Sequence, residues 1–165
     1  MMDERARRIA LECKGFMHED EGMRLHELAR EHARLGPIVE IGSYCGKSAV
    51  YIGTGVREVG GVLLCVDHHR GSEEKQAGWE YHDPEVVDPE CGKMDTLPWI
   101  RRTLEREGAA PVDITIERSM DIHYYGQVRE QNAVVPDGPV TAETLVVTVD
   151  RFHDKHRRVI GYSEP

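Results

Sequence analysis

The amino-acid sequence predicts an α/β fold with a short, mostly parallel sheet. Two short apolar runs carry this prediction, "IVEI" at 38–41 and "GVLLCV" at 61–66. Neither run alternates in polarity, which is typical of parallel strands that are covered on both faces. The segment from 46 to 59 between them has the length and composition of a helix. Strand, helix and strand in this order predict a βαβ unit with a right-handed crossover.

Further helices are predicted on either side of this unit. Residues 20–34 place their apolar side chains on one stripe, and Asp20 is the expected cap. Residues 96–107 form another predicted helix, which Thr96 caps and Gly108 ends. From His68 to about Asp95 the sequence is rich in charged residues, glycine and proline, which predicts a long irregular loop.

The last third of the chain is predicted to contain three strands and a helix. "VDITIE" at 112–117 alternates in polarity and predicts a third strand, and two short strands separated by a turn follow it. Residues 141–158 predict an amphipathic helix that Thr141 caps and Gly161 stops. Its expected apolar face is made of Leu145, Val149, Phe152 and His156.

The composition limits the classes of function. The chain has 165 residues, of which 39% are hydrophobic and 31% charged, enough for one modest domain with a core. Its net charge of −9 argues against a nucleic-acid or acidic-membrane binder, which normally presents a basic face. No apolar run is long enough to span a membrane. The N-terminal stretch is charged and lacks the apolar core of a signal peptide, so we expect a cytoplasmic protein.

The cysteines and histidines give no metal-site pattern. The four cysteines are far apart and include no C-x-x-C pair, which predicts reduced, buried thiols. The nine histidines show no metal-binding spacing, so no metal is expected. Two alternatives stay open. One is a nucleophilic Cys45 ahead of a helix, and the other is a divalent metal bound by the pairs His68-His69 and His82-Asp83.

The glycine-rich stretch "VEIGSYCGKSAV" at 39–50 is the most informative motif. A phosphate-binding P-loop needs G-x-x-x-x-G-K-[ST], but here Ile41 stands where the first glycine belongs. The G-x-G-x-x-G fingerprint of dinucleotide-binding proteins is also missing from "GSYCGK". A nucleoside-binding turn and a plain bend between a strand and a helix remain.

The spacing of Glu40, Gly42 and Gly46 resembles the first motif of class I S-adenosylmethionine-dependent methyltransferases. Asp67, at the end of the second strand, stands where an acidic residue can accept hydrogen bonds from ribose hydroxyls. The longer stretches "EIGSYCGKSAVYIG" and "VDHHRGSEEKQAGWEYHD" resemble one bacterial branch of that superfamily, and the resemblance covers about residues 15–110.

This resemblance implies a truncated Rossmann-like three-layer fold and S-adenosylmethionine as the cofactor. It implies that the cofactor is lined by Glu40, Gly42, Tyr44 and Gly46, with the ribose on Asp67 and the adenosine flanked by His68. The expected activity is methyl transfer to a small-molecule acceptor. No catalytic residue follows from the sequence. The resemblance to that branch also implies a fourth strand ending in an aspartate, which is not found in the sequence.

Residues 118–165 resemble a C-terminal segment of hydantoinase/oxoprolinase and acetone-carboxylase-type subunits. The marks are "YGQ" at 125–127, a Pro-Asp-Gly-Pro turn, and a helix with Phe152-His153. Two parts are therefore expected, a partial methyltransferase-like domain at 1–117 and a C-terminal strand-helix tail at 118–165, which packs on that domain or on a partner. An incomplete sheet leaves an open edge, which predicts a homodimer unless the tail covers it.

Three functions are compatible with these observations. The first is a methyltransferase, the second is a cofactor-binding or interaction domain without turnover, and the third is a fragment of a hydantoinase-like subunit. Cofactor binding would separate the first two from the third, and turnover would separate the first from the second.

Overall fold

The structure is a computed structural model that describes residues 2–108 and 117–163. Contacts divide the chain into two compact units, Met1–Asp113 and Ile114–Pro165. In the described residues the helices and strands follow in the order α1 (Glu4–Glu12), α2 (Glu19–His32), β1 (Ile38–Ile41), α3 (Lys47–Glu58), β2 (Leu63–Val66), α4 (Leu97–Glu107), β3 (Arg118–Ile122), β4 (Gln131–Val135) and α5 (Ala142–Ile160).

The first two helices begin with local hydrogen bonds that the sequence analysis did not assign. Helix α1 was not predicted; the Asp3 carboxylate caps it by accepting hydrogen bonds from the backbone N–H groups of Arg5 and Ala6, at 3.0 and 3.1 Å. Helix α2 was predicted correctly, but Asp20 is not its cap. The cap is His18, whose backbone N–H donates to the Glu21 carboxylate at 3.1 Å.

Strands β1 and β2 and helix α3 form the predicted βαβ unit. The strands pair in parallel, with Ile38 opposite Leu63 and Ile41 opposite Val66. Helix α3 packs closely on α2 because a glycine stands at the contact. A Cβ atom at Gly55 would lie 2.3 Å from the carbonyl oxygen of His26. The turn between β1 and α3 therefore lies at the carboxyl ends of the two parallel strands.

The expectation that both faces of these strands are covered is wrong. One face packs on α2 and α3 in a cluster of Ala29, Ala33, Ile52 and Val56 with Ile38 and Leu63. The side chains on the opposite face are half or more exposed, namely Val39 at 57%, Ile41 at 84%, Leu64 at 50% and Val66 at 56%. In the part of the chain that the structure describes, the second face of this sheet is therefore open to solvent, although its residues are apolar.

Residues 68–95 form an irregular excursion before α4, as predicted, with two short 3₁₀ turns at Glu73–Lys75 and Pro84–Val86. Helix α4 then runs over the expected residues. It begins after Thr96 and ends at Gly108, whose φ of +102° is the left-handed conformation that glycine adopts most readily. The predicted strand 112–117 lies almost wholly outside the described residues, and Glu117, which is described, is not in a strand.

The second unit contains an antiparallel pair, so the described sheets are not mostly parallel. Strands β3 and β4 pair with Arg118 opposite Val135 and Ile122 opposite Gln131. They correspond to the two short strands separated by a turn that the sequence predicts. Strand β4 ends at Val135, before Pro136, which cannot donate to a ladder.

Helix α5 packs within this unit on a face that is partly the one expected, since Phe152 and His156 are buried as predicted. Thr141 caps it through a hydrogen bond from the Thr144 N–H at 3.3 Å, as predicted. Leu145 and Val149, which were expected to be buried, are 42% and 41% exposed. The buried side chains recur every four residues, at Thr148, Phe152 and His156.

Two further expectations can be compared with the described residues. Among them, no helix has both the length and the apolar character that crossing a membrane requires. All four cysteines are free thiols, as expected. Cys13 and Cys45 are buried, but Cys65 and Cys91 are exposed, so the prediction of burial was right for two of the four.

Candidate functional site

The turn between β1 and α3 has glycines at the two positions where the backbone requires them. Gly42 and Gly46 have φ angles of +86° and +93°, which side-chain-bearing residues rarely adopt. A Cβ atom at Gly46 would lie 3.0 Å from the Ile100 side chain of α4, so this glycine also allows close packing. The space around Gly42 is open, since no atom of the described residues lies within 4 Å of a Cβ atom placed there. A ligand can therefore approach the backbone at Gly42.

Asp67 joins the end of β2 to this turn. One carboxylate oxygen accepts the backbone N–H of Tyr44 at 2.8 Å, and the other accepts the backbone N–H of His69 at 2.7 Å. Burial alone would raise the pKa of Asp67, but these two hydrogen bonds outweigh it and lower the pKa below its usual value. Each oxygen keeps a second lone pair, so the ionised carboxylate can accept further hydrogen bonds from a ligand.

Glu40 lies beneath the turn with one oxygen unsatisfied. Its side chain is 8% exposed, and Oε1 accepts a short hydrogen bond from the Ser48 hydroxyl at the start of α3. Within residues 2–108 and 117–163, Oε2 has no hydrogen-bond partner, and neither does the hydroxyl of the neighbouring Ser43, which is 1% exposed. Buried polar atoms are normally paired, so both atoms are available for groups of a ligand or for ordered water.

Tyr44 links the turn to the excursion 68–95. It has a φ of +49°, and its side chain crosses to the excursion, where the hydroxyl donates to the Asp83 carboxylate at 3.2 Å. The Lys75 ammonium lies 4.4 Å from the centre of the Tyr44 ring, and the centre of the Phe16 ring lies 5.7 Å away. Asp83, Lys75 and Phe16 therefore all contact the Tyr44 side chain.

The two histidines after β2 have different environments. His68 is exposed, and its Nδ1 accepts the backbone N–H of Arg70 at 3.0 Å. His69 is partly buried, and its Nδ1 lies 2.9 Å from the Thr96 hydroxyl. The structure thus brings Glu40, Gly42, Tyr44, Gly46 and Asp67 to one edge of the parallel sheet, with His68 at its exposed border.

Sequence reasoning assigned no role at this edge to four polar residues, of which it had considered only Asp83, and that as a metal ligand. Two of them, Ser43 and Ser48, lie within the glycine motif itself, where their hydroxyl groups were a visible signal. The other two are Lys14 and Asp83, whose ammonium and carboxylate groups form an ion pair at 2.6 Å. They are distant in the sequence, and no local pattern predicts such a pair.

The two alternative chemistries gain no support from the geometry. Cys45 is 1% exposed, and burial, with a further contribution from the nearby Cys13 thiol, raises its pKa to about 12. It is therefore a neutral thiol near pH 7 and a poor nucleophile. The described residues hold no group of three or more side chains suited to a metal ion. Among the residues considered for a metal, His69 contacts Thr96 and Asp83 contacts Lys14.

A comparison with known protein families matches residues 39–158 to a model described as a methyltransferase domain. The chain belongs to this family. The match begins at β1, includes the glycine turn and Asp67, and extends into α5. It indicates an enzyme of the methyltransferase class, although the chain is short. The match also covers most of the segment 118–165 and gives no support to its resemblance to hydantoinase subunits.

Proposed function

We propose that this protein binds S-adenosylmethionine at the turn between β1 and α3 and transfers its methyl group to a small-molecule acceptor. The observation that carries the proposal is the joined arrangement of the turn and Asp67. An open backbone at Gly42 and an ionised carboxylate with free lone pairs lie at the carboxyl edge of parallel strands, where α/β proteins bind their ligands. Membership of the methyltransferase family supports this choice of ligand.

The residues present fit such a cofactor. In the proposal, the free lone pairs of Asp67 accept the ribose hydroxyls and the unpaired Oε2 of Glu40 accepts an N–H donor. Gly42 allows close approach, Tyr44 lines the site, and His68 flanks the adenosine. Gly46 starts α3, whose free N–H groups and positive dipole end favour a carboxylate.

When bound, S-adenosylmethionine supplies an electrophilic methyl group that an acceptor displaces in line. The task of the protein is then to bind and orient the two reactants and to exclude water, because such a displacement depends mainly on positioning. We assign no catalytic base.

A second candidate function is cofactor binding without turnover. The observation that favours it is the size of the parallel sheet, which has two strands in residues 2–108 and 117–163. The two candidates differ in one readout. Turnover releases S-adenosylhomocysteine over time from S-adenosylmethionine and a mixture of small nucleophilic acceptors, whereas a binding domain releases none above the rate without protein.

We also propose that the open side of the β1–β2 sheet mediates a homodimer. Four apolar side chains on this side are half or more exposed, and such exposure is typical of association surfaces. In residues 2–108 and 117–163 each of these strands pairs only with the other, which leaves unpaired backbone groups at the sheet edges.

The test of the proposed function is calorimetric titration with S-adenosylhomocysteine. We expect micromolar binding by the wild type and at least about tenfold weaker binding by Asp67→Ala, because hydrogen bonds to a charged group are lost. Asp88→Ala is the matched control, since the Asp88 carboxylate also accepts a backbone N–H, from Glu90 at 2.9 Å, but outside the turn. The proposal fails if the folded wild type does not bind, or if both variants bind equally well.

A further inference from the structure

The excursion after β2 is closed at its base. The Thr96 backbone N–H donates to the His69 carbonyl at 3.1 Å, and the side chains of the same two residues meet at 2.9 Å. The Arg70 guanidinium donates to the Met94 carbonyl at 3.3 Å. The chain therefore leaves the core and returns to it at one point, as in an Ω-loop, although this segment is longer than most such loops. We call residues 69–96 the loop.

Apolar and polar contacts hold the far part of this loop, where Val86 is buried in a cluster with Cys13, Cys45 and Met94. The polar contacts centre on the Asp83 carboxylate. Asp83 Oδ2 accepts hydrogen bonds from the Lys14 ammonium at 2.6 Å and from the Tyr44 hydroxyl at 3.2 Å, while Oδ1 accepts the Glu85 N–H at 3.0 Å. The side chains of Lys14 and Asp83 are 23% and 25% exposed. Solvent screens this ion pair less than it screens a fully exposed pair, so it can fix a geometry.

The charge states suit these contacts. Burial alone would raise the pKa of Asp83, but the hydrogen bonds from Lys14 and the Glu85 N–H lower it below its usual value, so the carboxylate is ionised near neutral pH. Burial, then the neighbouring Cys45 and the negative charge of Asp83, raise the pKa of Tyr44, so its hydroxyl stays protonated and donates.

Tyr44 lies in the turn between β1 and α3, which we call the cofactor turn, and its side chain contacts the loop. Its backbone N–H is bonded to Asp67, the proposed ribose ligand, and its hydroxyl is bonded to Asp83. The ammonium of Lys75, also from the loop, lies over the same ring at 4.4 Å. A movement of the loop away from Tyr44 would therefore free the residue that lines the proposed site.

We propose that Lys14, Asp83 and Tyr44 form a latch that holds the loop 69–96 against the cofactor turn. Lys14 and Asp83 act as positioning residues for the cofactor, because they set the side chain of Tyr44. This inference rests on the proposed function. Opening of the latch admits and releases the ligand, and its closure keeps the ligand bound.

The chain offers matched variants for a test. Asp83→Asn keeps the shape but removes the charge, and Lys14→Met removes the ammonium at similar length. Lys14→Arg retains the positive charge as a conservative rescue. Glu85→Gln is the control, because the Glu85 carboxylate also contacts Lys14 but is 68% exposed and makes no hydrogen bond to Tyr44 in the structure.

Two measurements read the latch separately. Hydrogen–deuterium exchange of the ligand-free protein reports opening of residues 70–93, and calorimetry with S-adenosylhomocysteine reports affinity. We expect Asp83→Asn and Lys14→Met to accelerate exchange in the loop and to weaken binding by about tenfold, the cost of one hydrogen bond to a charged group. Lys14→Arg should stay within about twofold of the wild type because it keeps the positive charge. Glu85→Gln should do so because an ion pair to an exposed carboxylate contributes little.

The result separates this inference from the proposed function. The latch is overturned, while wild-type binding stands, if Asp83→Asn opens the loop without changing the affinity. It is also overturned if Asp83→Asn leaves hydrogen–deuterium exchange unchanged. A wild type that is folded but does not bind refutes the proposed function and the latch with it. Tyr44→Phe is an independent variant, because it removes only the hydroxyl that donates to Asp83. If Tyr44 transmits the effect, the losses of binding free energy in Tyr44→Phe and Asp83→Asn are less than additive in the double variant.

Discussion

At the scale of single residues, the sequence predicted which residues come together, but not how they are held. Glu40, Gly42, Gly46 and Asp67 lie at one sheet edge because the carboxyl ends of parallel strands meet there. Their role toward a cofactor stays a prediction. Sequence alone did not reveal that Asp67 accepts two backbone N–H groups, since such contacts depend on the folded path of the turn.

The hydrogen bonds of Asp67 predict a pH-dependent contribution to stability. Because its pKa is lower in the folded protein than in the unfolded chain, the contribution is full above the unfolded value of about 3.9 and is lost as pH falls through the folded value. We expect Asp67→Asn to lower the free energy of unfolding by about 1–3 kcal/mol at pH 7, because the amide cannot accept both N–H groups.

Urea unfolding of both proteins at a series of pH values checks this prediction. The difference between wild type and Asp67→Asn should narrow as pH falls from about 5 towards 2, where the protonated carboxyl and the amide become alike. A difference that stays constant over this range would show that the charge of Asp67 contributes nothing to folding.

At the scale of helices and strands, periodicity and stop residues located most elements. Helices α2, α3, α4 and α5 and strands β1 and β2 lie close to their predicted ranges, since apolar spacing and glycine ends are local signals. Helix α1 was missed because its first half is dominated by charged residues. The exposed face of β1 and β2 was also missed, because an apolar run does not reveal how many layers cover it.

The packing of α2 on α3 predicts opposite effects at two neighbouring glycines. A Cβ atom at Gly55 would meet the His26 carbonyl oxygen at 2.3 Å, whereas at Gly53 its nearest contact is a Leu63 methyl group at 3.6 Å. We expect Gly55→Ala to destabilise the protein by about 1–3 kcal/mol or more through overpacking. Gly53→Ala should be stabilising by up to about 1 kcal/mol through helix propensity.

Thermal and urea unfolding of the two variants provide the comparison. The pair is well matched because both positions lie within α3 and both changes add one methyl group. Equal effects at the two positions would contradict the close contact between the helices.

At the scale of the whole molecule, the exposed apolar side of the β1–β2 sheet predicts self-association. We expect the weight-average mass in sedimentation equilibrium to rise with protein concentration towards that of a dimer. Ile41→Lys places a charge on this surface and should shift the equilibrium towards monomer, because Ile41 is 84% exposed in the structure.

Leu35→Lys is the control for this prediction. Leu35 is similarly exposed, at 86%, but precedes β1 and is not part of the sheet. A protein that stays monomeric at all concentrations, or a dimer that Ile41→Lys does not weaken, would rule out association through this surface.

The central claim is the location of the cofactor site, and a titration of ¹⁵N-labelled protein with S-adenosylhomocysteine, followed by amide NMR spectra, tests it most directly. We predict saturable shifts centred on the amides of residues 42–46 and 67–69, with α5 much less affected. Shifts that centre elsewhere, or a folded protein whose spectrum does not change, would contradict the account.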